Sequence, residues 1–215
     1  MHKLRFLLTL FLCFFFYGIV FGGTEEELSY PMSDGSGTLK LGIVTGNTSR
    51  WLTEKDNLLR QDKISVRCLS LSKTRGLIIE VENKDLPENT RLGFVFGGYD
   101  SPKPDKVIVP ETCKDNIFNV EGTHVTVYHG KSGALKVTQL VVPVGAEMRL
   151  SNGRIMSTPL EVFESGKHTD APVLAGICPL RKGEKLYFCI YKQNREADYA
   201  DFMLPDLFKQ ENEKQ

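Results

Sequence analysis

Several aromatic residues of this sequence have the chemistry to bind a ligand. Trp51 is the only tryptophan, and it follows the first predicted strand. An indole ring can cover the apolar face of a sugar ring, and Tyr99 and Tyr128 can do the same with a smaller ring. We therefore predict ligand contacts at these three residues, with a structural position in the core as the alternative for Trp51. Tyr128, Tyr187 and Tyr191 lie on polar positions of their predicted strands, which favours exposure.

Four acidic residues, Asp100, Asp105, Glu111 and Asp115, lie in the segment 97–116. Hydrolysis of a glycosidic bond uses two carboxylates about 5–10 Å apart across a cleft. Asp100, Asp105 and Asp115 are therefore alternative catalytic carboxylates, although a solvated loop accounts for the same pattern. The sequence has no Gly-x-Ser-x-Gly and no His-Glu-x-x-His motif, so the primary prediction assigns no catalytic residue.

The histidines and cysteines predict no metal site, and no cofactor is predicted. His124 and His129 are an odd number of residues apart on one predicted strand. Their side chains therefore point to opposite faces and cannot share a metal ion. The four cysteines beyond the first 23 residues are separated by 45, 65 and 11 residues. Zinc sites need closer pairs than these spacings provide.

An alternation of apolar and polar residues dominates the chain and predicts half-buried strands. The apolar positions of nine predicted strands fall within 39–43, 64–68, 77–82, 92–96, 125–127, 137–142, 148–150, 173–177 and 186–190. Turn residues separate these segments, and Ser151-Asn152-Gly153 is the strongest hairpin signal among them. The pattern predicts an all-β fold, an antiparallel β-sandwich of about nine or more strands with a short C-terminal helix.

Two segments depart from the alternation. The segment 97–116 contains three prolines and is predicted to be a long loop. Apolar residues at helical spacing predict a helix over 195–208, which Pro205 interrupts, before a polar tail. The predicted organisation is a signal peptide at 1–22, a linker at 23–36, a sandwich domain at 37–194, and a C-terminal helix with its polar tail at 195–215.

The first 23 residues have the pattern of a secretory signal peptide. Lys3 and Arg5 precede an apolar run from residue 6 to residue 20, shorter than the roughly 20 residues of a spanning helix. Small residues favour cleavage after Gly22, which predicts export to the periplasm or the extracellular space. The leader contains two of the 27 basic residues and none of the 27 acidic ones, which leaves a net charge of −2. This charge argues against nucleic acid or an anionic membrane as the partner.

Export makes disulfides possible. The turn at residues 182–185 can form a type II′ hairpin with Gly183 at its first central position, which places Cys178 opposite Cys189. Cross-strand Cβ atoms lie about 4.5–5.5 Å apart, slightly wide of disulfide geometry. The pair is therefore a candidate disulfide, with free buried thiols as the alternative. Cys68 lies in an apolar strand pattern and is predicted to be free and buried.

Several short motifs occur in the order found in one protein family. They are Leu39 to Val44, Ser49-Arg50-Trp51-Leu52, Phe96-Gly97-Gly98, the stretch Pro110 to Asn116, Leu174-Ala175-Gly176 and Pro179-Leu180-Arg181. Over residues 36–212 the sequence resembles the N-terminal β-sandwich part of domain-of-unknown-function family 4450. The resemblance implies large exported bacterial proteins of polysaccharide-utilisation loci, in which a helical toroid of glycoside-hydrolase type usually follows the sandwich.

The sequence also departs from that family. It begins late, stops where the helical barrel would follow, and has a shorter loop after Phe96-Gly97-Gly98 without the usual Gly/Asp-rich stretch. The barrel's catalytic residues have no counterpart here, so none is carried over. The resemblance therefore implies the sandwich portion alone, as a fragment, a product of a split gene or a stand-alone accessory domain.

Three functional hypotheses follow. The first is an exported, non-catalytic β-sandwich of a carbohydrate-processing system, which binds glycan or packs against a helical-barrel catalytic partner. The second is a small glycoside-active enzyme that uses the carboxylates of the 97–116 loop. The third is a purely structural exported domain. A docking domain should expose an apolar patch, a binder should present aromatic residues on an open face, and an enzyme should show two carboxylates across a cleft.

Overall fold

The computed structural model is a sandwich of two antiparallel sheets with six strands each, which confirms the predicted fold class. The structure describes residues 26–59, 63–98, 108, 110–130, 136–166 and 169–215, with residues 57–59 described by their backbone alone.

The first sheet has the order β1-β2-β6-β11-β10, and β3 pairs with β2 on the same side as β1, further along the strand. Its strands are β1 (Ser29–Pro31), β2 (Thr38–Thr45), β3 (Thr48–Trp51), β6 (Thr90–Gly97), β10 (Glu147–Asn152) and β11 (Pro172–Pro179). The second sheet has the order β4-β5-β12-β9-β8-β7. Its strands are β4 (Ile64–Ser70), β5 (Gly76–Asn83), β7 (Ile117–Glu121), β8 (His124–His129), β9 (Lys136–Val141) and β12 (Lys185–Tyr191). All nine predicted strands are present, and β1, β3 and β7 are additional.

Four short α-helices connect or cover these strands. They are α1 (Glu54–Leu59), α2 (Pro110–Cys113), α3 (Pro159–Glu164) and α4 (Leu204–Asn212), and a 3₁₀ turn (Asp201–Met203) precedes α4. The predicted C-terminal helix is therefore confirmed, but it begins nine residues later than expected. Pro205 occupies the first turn of α4 instead of interrupting a helix, because a first-turn N–H has no intrahelical acceptor to lose.

The main core lies between the sheets and is built from the inward positions of both. Phe94 of β6 and Phe188 of β12 meet edge to face, with ring centroids 5.2 Å apart. At one side of the sandwich α1 packs on β4. At the other side Phe118 of β7 and Met148 of β10 are only partly buried against the core. Cys68, predicted to be buried, is free but exposed, because β4 is an edge strand and leaves this inward position uncovered.

A second apolar cluster covers the outer face of the first sheet, where α3 lies against β2, β3 and β6. Gly42 and Gly93 allow this close approach, since a Cβ at either position would fall within 2.7 Å of Pro159. Trp51 belongs to the cluster and is 4% exposed. Its Nε1 donates a hydrogen bond to the carbonyl of Met156 at 2.9 Å. Trp51 therefore fixes the connection that leads into α3.

A third cluster covers β4, β5 and β12 on the outer face of the second sheet, where the C-terminal segment from residue 194 folds back over the strands. Glu80 of β5 lies at its margin and is buried. Its carboxylate accepts hydrogen bonds from Arg67 at 2.7 Å, Tyr187 at 2.7 Å and Lys185 at 3.2 Å. Arg67 in turn lies over the ring of Phe208 in α4, at 4.7 Å from its centroid. The carboxylate thus organises the side chains on which α4 rests.

The predicted pairing of Cys178 with Cys189 is wrong, and both thiols are free and buried. Cys178 pairs with Leu92 in the first sheet, whereas Cys189 lies opposite Ile78 in the second. A turn does form, but one residue earlier than predicted. The Glu184 N–H donates to the Arg181 carbonyl at 3.0 Å, which places Gly183 at the second central position. The turn carries the chain from one sheet to the other instead of closing a hairpin.

The predicted hairpin at Ser151-Asn152-Gly153 is also absent. A turn does form after β10, but the chain continues into α3 and returns only at Pro172, which lies opposite Asn152. The Asn-Gly signal marks the end of the strand correctly. The apolar residues of α3 then cover the sheet before its partner strand begins.

We expect Trp51→Ala to lower the free energy of unfolding by about 3–5 kcal/mol, because it leaves a cavity under α3 and removes the bond to Met156. Phe202→Ala removes an aromatic ring that is 78% exposed and should change stability by less than about 0.5 kcal/mol. Urea unfolding of both variants measures the difference. Equal midpoints for Trp51→Ala and the unaltered protein would contradict this structural role.

We expect the stability that Glu80 provides to depend on pH. Burial alone would raise the pKa of its carboxyl, but the hydrogen bonds from Tyr187, Arg67 and Lys185 hold that pKa below its ordinary value. A lowered folded-state pKa means that the stabilisation is complete above the unfolded-state pKa of about 4.3 and is lost as the pH falls through the folded-state value.

Glu80→Gln should therefore cost about 1.5–3 kcal/mol at neutral pH, the range for hydrogen bonds to charged groups. Its difference from the unaltered protein should shrink as the pH falls from about 5 towards 3. Urea midpoints measured at several pH values test this, with Glu82→Gln on the same strand as the matched control. A difference between Glu80→Gln and the unaltered protein that stays constant with pH would show that Glu80 stabilises through packing alone.

Candidate functional site

Half of the outer surface of the second sheet is left uncovered within the described part of the chain. The C-terminal segment lies over β4, β5 and β12, whereas the outward side chains of β7, β8 and β9 form three rows beside it. The row of Glu121, His124 and Val141 borders that segment. We call the surface of the other two rows the open face. Its side chains are Ile117, Asn119, Thr126, Tyr128, Val137 and Gln139.

The first row contains one aromatic residue between two aliphatic ones. Tyr128 of β8 pairs with Ile117 of β7 on one side and with Val137 of β9 on the other. Ile117 is 63% exposed and Val137 is 38% exposed, and the Tyr128 side chain is half-buried between them. Cross-strand neighbours on one face lie about 4.5–5.5 Å apart, so the phenol ring is held at a defined place on the sheet.

The second row is a ladder of neutral polar groups. Asn119, Thr126 and Gln139 are cross-strand neighbours on β7, β8 and β9. The Thr126 hydroxyl donates to the Gln139 side-chain oxygen at 3.1 Å, and the Gln139 amide nitrogen donates to the Gln193 side-chain oxygen at 3.4 Å. The Asn119 amide nitrogen donates to the Glu121 carboxylate at 2.9 Å, and each amide keeps further donor and acceptor capacity for a ligand.

The C-terminal segment borders the open face. The Tyr199 carbonyl lies 2.6 Å from Nε2 of His124, and the Thr123 hydroxyl donates to the Asp201 carboxylate at 3.0 Å. Beneath this border the rings of Tyr191 and Tyr199 pack edge to face with centroids 4.9 Å apart. The packing of the C-terminal segment over β12 therefore ends beside the polar ladder. The segment forms the boundary of the open face on that side.

A buried polar network fixes β8 beneath Tyr128. His129 Nδ1 lies 2.9 Å from the Asn116 side-chain oxygen, and the Asn116 amide nitrogen donates to the carbonyl of Pro172 in the first sheet at 3.2 Å. Burial, with a smaller contribution from Lys192, lowers the pKa of His129 to about 3. The imidazole is therefore neutral at physiological pH and serves as a structural link between the sheets.

The side chains of the two rows carry no charge, which limits the ligands that suit them. Phosphorylated or strongly acidic ligands need cationic partners, which the rows do not supply. A phenol ring beside amide and hydroxyl groups can instead pack against C–H groups and exchange hydrogen bonds with hydroxyls. The open face thus matches an uncharged ligand with many hydroxyl groups.

The structure separates the residues that were predicted to bind a ligand. Tyr128 lies in the open face, as its parity predicts. Trp51 lies on the other sheet under α3, so the prediction of an exposed stacking platform at Trp51 is wrong and the structural alternative holds. Tyr99 lies outside the described residues. Tyr191, expected to be exposed, is buried because the C-terminal segment covers it.

The structure describes one of the three alternative catalytic carboxylates. Asp115 is half-buried in the turn that precedes β7, next to the open face. Asp100 and Asp105 lie outside the described residues. Among the described residues no group of three or more His, Cys, Asp or Glu side chains could hold a metal ion. None of the described helices is long and apolar enough to cross a membrane.

Sequence reasoning missed the polar ladder. Asn119 lies on β7, which was not predicted, and Gln139 was considered only as part of an alternating strand. The signal that could have found the ladder is the alternation of inward and outward positions along each strand. It places Thr126, Tyr128 and Gln139 on the outward face. Their adjacency became visible only with the register of β8 against β9.

Residues 55–212 match the model of the family described as "Domain of unknown function (DUF4450)". No curated protein matches the sequence. The matched region includes β4 to β12 and all of α4, and thus every strand of the open face. The chain therefore belongs to the DUF4450 family.

Proposed function

We propose that this chain is an exported, non-catalytic β-sandwich that binds glycan chains on its open face, as an accessory domain of a carbohydrate-processing system. The observation that carries the proposal is the position of Tyr128 in a row that no described segment covers, directly beside the neutral ladder of Asn119, Thr126 and Gln139.

The chemistry of sugars suits this surface. One side of a sugar ring presents C–H groups that pack against an aromatic ring, while its hydroxyls both donate and accept hydrogen bonds. Tyr128 would provide the stacking contact, and the Gln139 and Asn119 amides would provide the hydrogen bonds. Because the site is the outer surface of a sheet, much of a bound chain stays hydrated, and we expect dissociation constants on the order of 0.1–1 mM.

The resemblance noted from the sequence supports the carbohydrate context. Members of the family typically come from polysaccharide-utilisation loci, and a helical barrel of glycoside-hydrolase type usually follows the sandwich. A weakly binding sandwich would keep such a catalytic partner near its polymeric substrate, and linkage of two weak sites raises the overall affinity.

We expect the purified protein to bind at least one soluble polysaccharide in affinity electrophoresis or calorimetry, and Tyr128→Ala to weaken that binding about tenfold or more through loss of the stacking ring. Tyr128→Phe should retain most of the affinity. Gln139→Ala should also weaken binding, because it removes the ladder amide that accepts a hydrogen bond from Thr126.

Phe202→Ala is the matched control, since it removes an exposed aromatic ring that lies beside Asp206 and Gln210 of α4 and is not one of the open-face side chains. Thermal melts of all variants establish that each is folded. Unchanged binding by folded Tyr128→Ala would refute the proposed site. Release of reducing sugars that Asp115→Asn abolishes would instead establish the enzyme that uses the 97–116 loop.

We expect the full chain, expressed with its own leader in a Gram-negative bacterium, to leave the cytoplasm and to begin at Gly23 after cleavage. Intact-mass spectrometry of cell fractions measures both properties. Leu10→Asp places a charge in the apolar run and should keep the chain in the cytoplasm at full length. An unaltered chain that retains Met1 to Gly22 would exclude export by this leader.

A further inference from the structure

The edge of the second sheet at β7 is unusually open. Within the described part of the chain, β7 pairs with β8 on one side and with no strand on the other. Four of its five residues are exposed, including Ile117 and Val120, and Val120 is 45% exposed although it points inward. An edge of this kind presents free backbone N–H and C=O groups beside apolar side chains.

The other sheet edges have features that discourage pairing. β1 is three residues long and ends at Pro31, and β3 is four residues long and carries Arg50. β4 carries Arg67, and β10 carries Arg149 and contacts α3. Short edges, prolines and charged side chains are the means by which natural sheets avoid pairing with other chains. β7 has no proline, lysine or arginine, and its single charge is Glu121 at the end.

We infer that β7 pairs antiparallel with β7 of a second copy of this chain, around a two-fold axis at Asn119. In this register inward-pointing Phe118 meets Val120 of the second copy, and the reverse pair forms by symmetry. Outward-pointing Ile117 meets the aliphatic part of Glu121, and the two Asn119 amides face each other. The inward apolar residues of β7 are thus self-complementary, and the two-fold symmetry closes the assembly as a dimer.

This dimer joins two open faces into one surface of six strands. Strands lie about 4.8 Å apart and rise about 3.4 Å per residue, so the two Tyr128 rings would be about 20 Å apart along a diagonal. One extended glycan chain could then contact both rings, which raises affinity for long chains over short ones. This consequence rests on the proposed function, whereas the strand pairing does not.

Sedimentation equilibrium of the purified full-length mature chain tests the pairing. We expect a monomer–dimer equilibrium, and we expect Val120→Lys to raise the dimer dissociation constant about tenfold or more, because it places a charge on the inward side of the new strand pair. Val144→Lys is the matched control, since Val144 is 70% exposed but lies beyond the end of β9. It should leave the dimer unchanged.

A cross-link tests the register without relying on a destabilised interface. Opposed residues in an antiparallel pair have Cα atoms about 4.5–5.5 Å apart, within the range that disulfides span. Asn119→Cys in a Cys68→Ser background, which removes the exposed native thiol, should form a disulfide-linked dimer under mild oxidation. Val144→Cys in the same background should not.

Two results would overturn the inference. The first is a protein that is monomeric at every concentration. The second is a dimer that persists in Val120→Lys and that Asn119→Cys does not cross-link. Tyr128→Ala should dimerise normally, so a failure of glycan binding and a failure of strand pairing are measured separately. Loss of preference for long over short glycans in Val120→Lys, with short-chain affinity retained, would support the joined surface.

Discussion

Each strand of a sandwich points its side chains alternately inward and outward, so the outer face of each sheet must be either polar or covered. The sequence here meets this constraint in three ways. Trp51 and α3 cover the outer face of the first sheet. The C-terminal segment, organised around Glu80, covers half of the second. The remaining half is polar apart from Tyr128 and its two neighbours, and this exception gives the open face its chemistry.

The C-terminal segment and the open face depend on one another because the strands beneath them are paired. β12 lies beneath the C-terminal segment and pairs with β9, whose outward residues belong to the polar ladder. The apolar packing of the C-terminal segment ends where Tyr199 meets Tyr191 of β12. Beyond this pair the segment makes polar contacts with Thr123 and His124. A change that loosened α4 would therefore disturb the border of the open face, even though α4 contributes no side chain to it.

Strands were predictable from the sequence where the alternation extends over several residues, because the period of two is imposed by the backbone itself. β7 was missed because Ile117 and Phe118 are adjacent apolar residues and the strand is only five residues long. The error at Cys178 and Cys189 has a different cause. The turn at Gly183 has the positive φ that its glycine predicts, but turn chemistry is the same whether the next strand returns to one sheet or crosses to the other.

The same limit explains why the candidate site could be predicted only in part. Parity gives the outward direction of both Tyr128 and Tyr191, and it is correct for both. Whether an outward side chain meets solvent depends on segments far away in sequence, and Tyr199 covers Tyr191 while Tyr128 stays accessible. An outward aromatic residue on a strand is thus a candidate contact for a ligand only where the fold leaves its face uncovered, and that property belongs to the tertiary structure.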